Sequence, residues 1–248
     1  YLKQSGILPH AGREQVNGRT NLEMKINSRL TARLNLAYIK NDYTDPSSAY
    51  AGGGSDQIIR QLNLIAPWIT ARYDDGTWGT ISDGSPIAWL DNDLKVYRRN
   101  TNFTGLFGVD YKILDGLTAK LSASYVNNNQ NYDYFQKFFV YNENKKTDPN
   151  FHQEQVSKWE RKTFEALLNY NKTFGQHTVG ALAGWHAEAF DSKYWYTYRK
   201  NFPNNSVTDI NAGDVSTQQA QGNTRELNML SWFGRVNYDF AGRYLFEA

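Results

Sequence analysis

The chain has 248 residues, with 27 Lys and Arg against 25 Asp and Glu, and a net charge of +2 is too small for a general polyanion binder. It has no Cys, which excludes disulfide scaffolds and thiolate metal sites, and its aromatic content of 15% excludes a disordered chain. Mean hydropathy is −0.68, which excludes a helical membrane protein but allows a membrane β-barrel, because only alternate residues of a barrel strand face lipid.

Four predicted hairpins follow one another along the chain, and in each of them apolar and polar residues alternate with period two. The second hairpin turns at Asp115-Gly116, a dipeptide that favours the positive φ of a tight turn. The sequence therefore predicts about eight antiparallel strands. They pair as 22–26 with 30–38, 103–111 with 117–125, 163–170 with 179–185, and 230–239 with a strand that starts at Tyr244.

The connections between the hairpins are much longer than the turns within them. Segments 44–98, 127–155 and 190–226 are rich in Asn, Asp, Gly, Ser and Gln, which favour loops over regular structure. Loops of this length are uncommon in compact domains unless they are functional. Short turns on one side of a sheet and long loops on the other are typical of an outer-membrane barrel.

Aromatic residues flank the aliphatic part of each strand on the apolar face. Tyr111, Tyr170 and Tyr238 precede short turns, while Tyr38 and Tyr125 lie near the long loops, as does a Trp at position 185. Membrane interfaces select such bands. The apolar face is therefore predicted to face lipid and the alternate residues to line the lumen. The lipid-facing set is Leu34, Leu36, Phe107, Val109, Leu121, Ala166, Leu168, Ala181 and Val236, and the lumen-facing set includes Asn21, Glu23, Lys25, Thr31, Arg33 and Asn35.

Two groups of aromatic residues fall in the predicted loops. Because exposed rings stack on sugars or peptide side chains, we interpret the first group as candidate ligand contacts. The second group is interpreted as a candidate surface for a protein partner, since aromatic residues are enriched in interface cores. Packing within the loops is the alternative for both. The groups are Trp68, Tyr73, Trp78 and Trp89, and Tyr194, Trp195, Tyr196 and Tyr198.

Motifs for metal, cofactor or catalytic chemistry are weak. Asp74-Asp75-Gly76, with Asp83, Asp91 and Asp93 nearby, offers oxygen ligands for Ca²⁺, but the ligand spacing of an EF-hand is absent and solvated turns are favoured. The four His residues are scattered without paired spacing, so we expect no metal site. No nucleophile elbow, phosphate loop or dinucleotide fingerprint occurs. We therefore expect no cofactor and no enzymatic activity.

The last stretch, Ser231 to Ala248, resembles a signature of the SusC/RagA-like TonB-dependent outer-membrane transporters of Bacteroidetes. Segments 18–27 and 30–38 resemble the same family, and so does the order of the elements Ala66-Pro-Trp, 73–76 and 177–185. The resemblance covers nearly the whole chain. The 231–248 stretch is specific to the family, and the remainder is a general barrel pattern.

The resemblance implies a 22-stranded barrel, of which residues 1–248 form about a third, within a single barrel domain whose plug, TonB box and remaining strands lie outside this chain. It also implies a location in the outer membrane, energy from the TonB complex, and a SusD-like surface lipoprotein as partner. The implied function is import of oligosaccharides or peptides, with no role for nucleic acid.

Two alternatives remain open at the level of sequence. One is a secreted β-sandwich that binds or acts on carbohydrate, because aromatic-rich loops on an antiparallel sheet suit it. The other is a complete eight-stranded outer-membrane barrel with a filled core. Strands of about ten residues favour a membrane barrel over a sandwich, whose strands average about five or six.

Overall fold

A computed structural model describes residues 1–50 and 54–248, and most of these residues form one antiparallel sheet of nine strands in the order β1-β2-β3-β4-β5-β8-β9-β10-β11. Strands β6 and β7 form a separate small hairpin. The strands are β1 (Leu2–Ser5), β2 (Gly12–Lys25), β3 (Leu30–Pro46), β4 (Lys95–Leu114), β5 (Leu117–Gln136), β6 (Phe139–Asn142), β7 (Lys145–Thr147), β8 (Phe151–Phe174), β9 (His177–Lys200), β10 (Gln219–Phe240) and β11 (Tyr244–Glu247).

All four predicted hairpins are present, but the strands are about twice as long as predicted. β8 and β9 each have 24 residues. The predicted loops are correspondingly shorter: 44–98 shrinks to 47–94, and most of 127–155 and 190–226 is strand. Prediction failed there because both faces of these extensions are polar, so the alternation disappears while the backbone pairing continues. A ninth strand, β1, also extends the predicted set.

The short turns have the local chemistry that their sequences predict. Asn27 Oδ1 accepts hydrogen bonds from the backbone N–H of Arg29 (2.8 Å) and of Leu30 (3.0 Å), which closes the turn between β2 and β3. Gly116, between β4 and β5, has φ +85°, and a Cβ there would lie 2.8 Å from the carbonyl oxygen of Asn171. Only glycine meets both requirements at this position.

Paired residues of neighbouring strands lie on the same face, and in the half of the sheet near the short turns the register gives one face two wholly apolar rows. The other face of this half is mainly polar, with a few apolar residues among the polar ones: Leu106, Leu167, Leu182, Met229 and Phe233. One hydrogen-bonded row is apolar from β2 to β10, and the next row towards the turns is apolar as well. All nine residues predicted to face lipid lie on this apolar face. The rows are Leu22–Leu34–Phe107–Ala123–Phe164–Ala187–Leu230 and Met24–Ala32–Val109–Leu121–Ala166–Trp185–Trp232.

The aromatic band near the long loops crosses these rows obliquely. Tyr38 of β3 is three rows from Trp185 of β9, and Tyr125 of β5 lies between them, one row from Tyr38. Such an oblique course is what tilted strands require if the band is to stay at one membrane depth.

The apolar face has no second layer over it. Trp232 is 76% exposed, and Phe107, Leu121, Leu168 and Val236 are also exposed. A β-sandwich needs a second sheet packed on this face, and the other sheet of the described residues is only the β6–β7 hairpin. The sandwich alternative is therefore wrong. The eight-stranded closed barrel is also wrong, because β1 and β11 are the two edges of the sheet and do not pair with each other.

The hydrophobic core lies in the long loops, in a unit that we call the cap: residues 47–50 and 54–94 with the β6–β7 hairpin. It contains α1 (Ser55–Leu64) and α2 (Pro86–Asp91), the latter capped by Ser85, whose Oγ accepts from the N–H of Ala88. Neither helix is long and apolar enough to cross a lipid bilayer. The core residues are Ile58, Trp78, Ala88, Trp89, Leu90, Leu94, Phe139 and Tyr141.

Candidate functional site

The polar face of the sheet, in the half near the long loops, is the candidate site. Four successive rows run from β2 to β10, and we call them the upper wall. The upper wall comprises positions 13, 15, 17 and 19; 37, 39, 41 and 43; 98, 100, 102 and 104; 126, 128, 130 and 132; 155, 157, 159 and 161; 190, 192, 194 and 196; and 221, 223, 225 and 227.

Side-chain amides, tyrosines and arginines dominate the first two rows of the upper wall. The row nearest the loops alternates cations and rings before it becomes amide-rich, and the second row is amides with one serine and one tyrosine. Neither row contains an aliphatic residue. The rows are Arg13–Tyr43–Arg98–Tyr132–Gln155–Tyr196–Gln221 and Gln15–Asn41–Asn100–Gln130–Ser157–Tyr194–Asn223.

Neighbouring side chains hold Arg13 in place. Its Nη2 donates to Gln15 Oε1 (2.5 Å) and to Asn41 Oδ1 (2.8 Å), and its guanidinium lies 5.2 Å from the centre of the Tyr43 ring. Both hydrogen-bond acceptors are neutral amides, so the charge of Arg13 is positioned without being neutralised.

Arg98 occupies the equivalent place two strands away. Its Nη1 is 3.4 Å from Asp45 Oδ2, and its guanidinium lies 6.0 Å from the centre of the Tyr132 ring. An open hollow of about 350 Å³ adjoins it, lined by Arg98, Tyr132, Gln130 and Tyr194 among others. A solute on this face meets charge, amide and ring groups together.

Nearer the short turns, the polar face is held by paired charges. Arg33 is 2.5 Å from Asp110, and Arg161 Nε is 3.3 Å from Glu188 Oε1. Arg33 therefore lies on the polar face, as predicted.

The predicted ligand-contact group divides by burial. Trp68 is 82% exposed and Tyr73 is exposed. Trp89 is fully buried and Trp78 is 7% exposed, so the prediction that these two contact ligand is wrong. Trp89 Nε1 donates to the hydroxyl of Tyr141 (2.6 Å), and burial raises the pKa of that hydroxyl. Trp78 and Trp89 are core residues of the cap.

The predicted partner group lies on β9 and not in a loop. Tyr194, Tyr196 and Tyr198 lie on the polar face, where the Tyr196 and Tyr198 rings stack with centroids 6.3 Å apart. Trp195 lies on the opposite face, with Lys158 Nζ 5.2 Å from its ring centre. Because side chains alternate along a strand, this closely spaced group has rings on both faces of β9.

Three acidic residues of the cap, Asp75, Asp83 and Asp93, have protein partners, which supports the turn interpretation. Asp75 Oδ1 accepts from the hydroxyl and N–H of Thr77, and these bonds lower the pKa of Asp75. Burial opposes ionisation of Asp93, yet Lys95, with Lys137 and His10, outweighs it and lowers the pKa of Asp93.

One cluster was not visible in the sequence. Asp133, His152 and Glu154 offer ligand atoms within 4.8 Å of one another on the outer side of the sheet. His152 Nε2 is 3.0 Å from Asp133 Oδ2 and 3.8 Å from Glu154 Oε1. Only the register of β5 and β8 brings Asp133 to the other two, so spacing along the chain gave no signal.

Comparisons with known proteins agree with this architecture. The chain is 24% identical, over 256 aligned residues and 99% of its length, to TonB-dependent receptor P3 of Formosa agariphila, and covers 25% of that protein. No protein-family model matches the chain. The resemblance to SusC/RagA-like TonB-dependent transporters that the sequence motifs indicate is confirmed.

Solved structures show the same fold. The RagAB peptide transporter has a TM-score of 0.73 at 15% identity, covering 96% of this chain and 27% of that one. The RagAB peptide importer in its "open-open" state has a TM-score of 0.72 at 18% identity, and the alignment covers 93% of this chain and 26% of that one. The chain thus spans about a quarter of the length of the relatives it matches, and its sheet has the fold of a segment of a transporter barrel wall.

Proposed function

We propose that this chain forms part of the barrel wall of an outer-membrane, TonB-dependent importer of large nutrients, and that it performs no catalysis. The observation that carries the proposal is the separation of apolar and polar residues onto the two faces of one continuous sheet. The apolar rows are seven strands wide and have no cover among the described residues.

Lipid is the environment that suits the apolar face. A soluble monomer rarely exposes an apolar patch larger than a few hundred Å², whereas barrel strands place one such face against hydrocarbon between aromatic bands. The polar face then lines the lumen. The cap and the long strand extensions lie on the extracellular side, since long loops belong to that side of such barrels.

We assign the partners and substrate by the resemblance. The chain works with a SusD-like lipoprotein and with the TonB complex, and the solute is an oligosaccharide or a peptide. Trp68 and Tyr73 remain candidate solute contacts because they are exposed. Trp195 remains the candidate partner contact, and we move Tyr194 and Tyr196 to the solute-facing wall.

Spin labels on the full-length protein in outer-membrane vesicles test the orientation. The chain has no Cys, so within it Leu121→Cys and Ser122→Cys each introduce a single attachment site. We expect the label at 121 to be relaxed by oxygen, which partitions into lipid, and the label at 122 by a water-soluble nickel complex. The reverse pattern contradicts the proposal.

Transport itself is tested by uptake. Cells that lack the gene should lose uptake of a labelled oligosaccharide or peptide mixture, and cells complemented with a form unable to bind TonB should not recover it. Recovery by the uncoupled form contradicts TonB-dependent import.

A further inference from the structure

The two faces of the same strand segments differ in charge. The upper wall contains five arginines and no Asp or Glu. The three rows of the opposite face that lie between these four rows contain four basic and five acidic residues. The five arginines are Arg13, Arg19, Arg98, Arg161 and Arg225, and the opposite face carries Lys40, Arg99, Lys158 and Lys193 against Glu14, Asp42, Glu160, Asp191 and Glu226.

Neighbouring carboxylates neutralise only part of this charge. Asp45, in the row above the upper wall, contacts Arg98, and Glu188, in the row below it, contacts Arg161. Arg13 is held by amides. Within the described residues, no ion pair joins Arg13, Arg19 or Arg225 to an acidic side chain. The lumen face therefore keeps an excess of positive charge where a solute would enter.

The spacing and chemistry of the first row suit repeated acidic groups. Arg13 and Arg98 lie in one row on strands two apart, so roughly 10 Å separates their backbones. A guanidinium binds carboxylate or sulfate through two parallel hydrogen bonds. Tyr43 lies between these arginines in the row, and the amide row runs directly beside them.

The remaining groups favour a hydroxyl-rich ligand over a peptide. Amides and phenols both donate and accept hydrogen bonds, as sugar hydroxyls do. The first two rows contain no aliphatic residue. The apolar residues of the upper wall lie in its two rows nearer the short turns: Ala37, Ile39, Val126, Trp159, Phe190 and Leu227. The first two rows, which a solute meets first, therefore offer no apolar pocket for the side chains that give a peptide its specificity.

We infer that the upper wall selects an acidic oligosaccharide, one that carries carboxylate or sulfate groups along its length. The inference rests on the proposed function, because it names the solute of that importer. The arginines of the upper wall attract such a chain electrostatically, and their guanidinium groups then bind its acidic groups as the chain passes.

Binding to the full-length protein in detergent tests the inference. The probes are an oligogalacturonate, its methyl ester, a neutral galactan oligomer of equal length and a glutamate-rich peptide, measured by calorimetry and by uptake into cells. We expect the oligogalacturonate to bind at least tenfold more tightly than its neutral ester, and the difference to shrink as salt rises.

Arg98→Gln and Arg99→Gln form a matched pair, because adjacent residues of β4 lie on opposite faces. Loss of one charged hydrogen-bonding group corresponds to roughly a tenfold loss of affinity. We expect this loss for Arg98→Gln with the acidic probe alone, and unchanged affinity for Arg99→Gln. Equal heat-modifiable migration of both variants in gels shows that both barrels are folded.

Each outcome decides one statement. Equal affinity for the ester and the acid, or equal affinities of the two variants, overturns the inference. In that case uptake of the neutral oligomer still supports the proposed import. Tighter binding of the glutamate-rich peptide overturns the oligosaccharide assignment. If gene deletion changes uptake of no probe and of no nutrient mixture, the proposed function itself fails.

Discussion

Trp68 and Trp89 belong to the same predicted group, and burial separates their roles. Trp89 is fully enclosed in the cap, where its indole N–H reaches Tyr141, whereas Trp68 is 82% exposed. Gly84 adds a backbone constraint to the same cluster, because its φ is +127° and a Cβ there would lie 2.9 Å from both Trp89 and Tyr141. The cap thus depends on a few closely packed residues.

Trp89→Ala should destabilise the cap by about 3–5 kcal/mol, the usual cost of removing a buried aromatic side chain. Limited proteolysis of the full-length protein in detergent should show faster cleavage within residues 54–94. Trp68→Ala is the control of the same residue type, and its cleavage rate should not change. Equal rates for both variants contradict this account of the core.

Acid should loosen the cap through Asp93, which pairs with His10 (3.1 Å) and Lys95 (2.9 Å). Its pKa is lowered from 3.8 in the folded state, so the stability from these pairs is present above that value. It is lost as the pH falls through the folded pKa. Proteolysis by pepsin across this range should accelerate in the native protein, and Asp93→Asn should flatten the dependence. A profile that the substitution leaves unchanged refutes the role of Asp93.

At the scale of elements, the alternation along each strand determines which residues lie on the apolar face and which lie on the polar face. Leu121 lies in the middle of the apolar stretch 117–125 of β5, paired with Val109 and Ala166, while Ser122 pairs with Gly108 and Glu165 on the other face. Adjacent residues of one strand therefore allow a test of the lipid-facing assignment.

Leu121→Arg should cost about 2–4 kcal/mol in a folding titration into lipid vesicles, because it places a charge near the bilayer midplane. Ser122→Arg adds the same side chain to the polar face and should cost far less. The comparison uses urea unfolding of the full-length protein. Equal destabilisation by the two substitutions would contradict the assignment of Leu121 to the lipid-facing side.

The elements also show which parts of the fold the sequence could reveal. Lipid favours apolar residues and the lumen favours polar residues at alternate positions, so strands such as 103–111 could be predicted from their period-two alternation. Asn127 and Gln130 of β5 lie beyond that band, where both faces are polar, and no pattern marked them as strand. The cap was invisible for another reason. Its core joins Trp89 to Tyr141, which are 52 positions apart, and no local pattern encodes that contact.

The site was recoverable in part for the same reasons. The alternation along β3 was enough to predict that Arg33 lies on the polar face. The excess of positive charge on the upper wall could not be predicted, because it depends on the register of seven strands. The sequence marked Tyr194 and Tyr196 as candidate contacts, but predicted them to lie in a loop. Their position on the polar face follows only from the continuation of β9 through both residues.

At the scale of the whole molecule, the nine-stranded sheet has two edges. β1 and β11 each pair with one neighbour over four residues, so most of the outer side of β2 and of β10 is also without a partner in this sheet. In hydrocarbon each unsatisfied backbone group costs several kcal/mol, and exposed edges pair with other chains. The sheet needs further strands before it can form a stable wall in a membrane.

The isolated 248-residue chain should therefore fail to form a closed barrel. Refolded into detergent, it should aggregate through its edges, migrate in gels without a heat-dependent shift and be digested by protease. The full-length protein is the control, and under the proposed function it should be heat-modifiable and resistant, because a closed barrel leaves no strand edge unpaired. A monomeric, heat-modifiable and protease-resistant 248-residue chain would show that β2 and β10 find partners within it, and would replace the open wall with a small complete barrel.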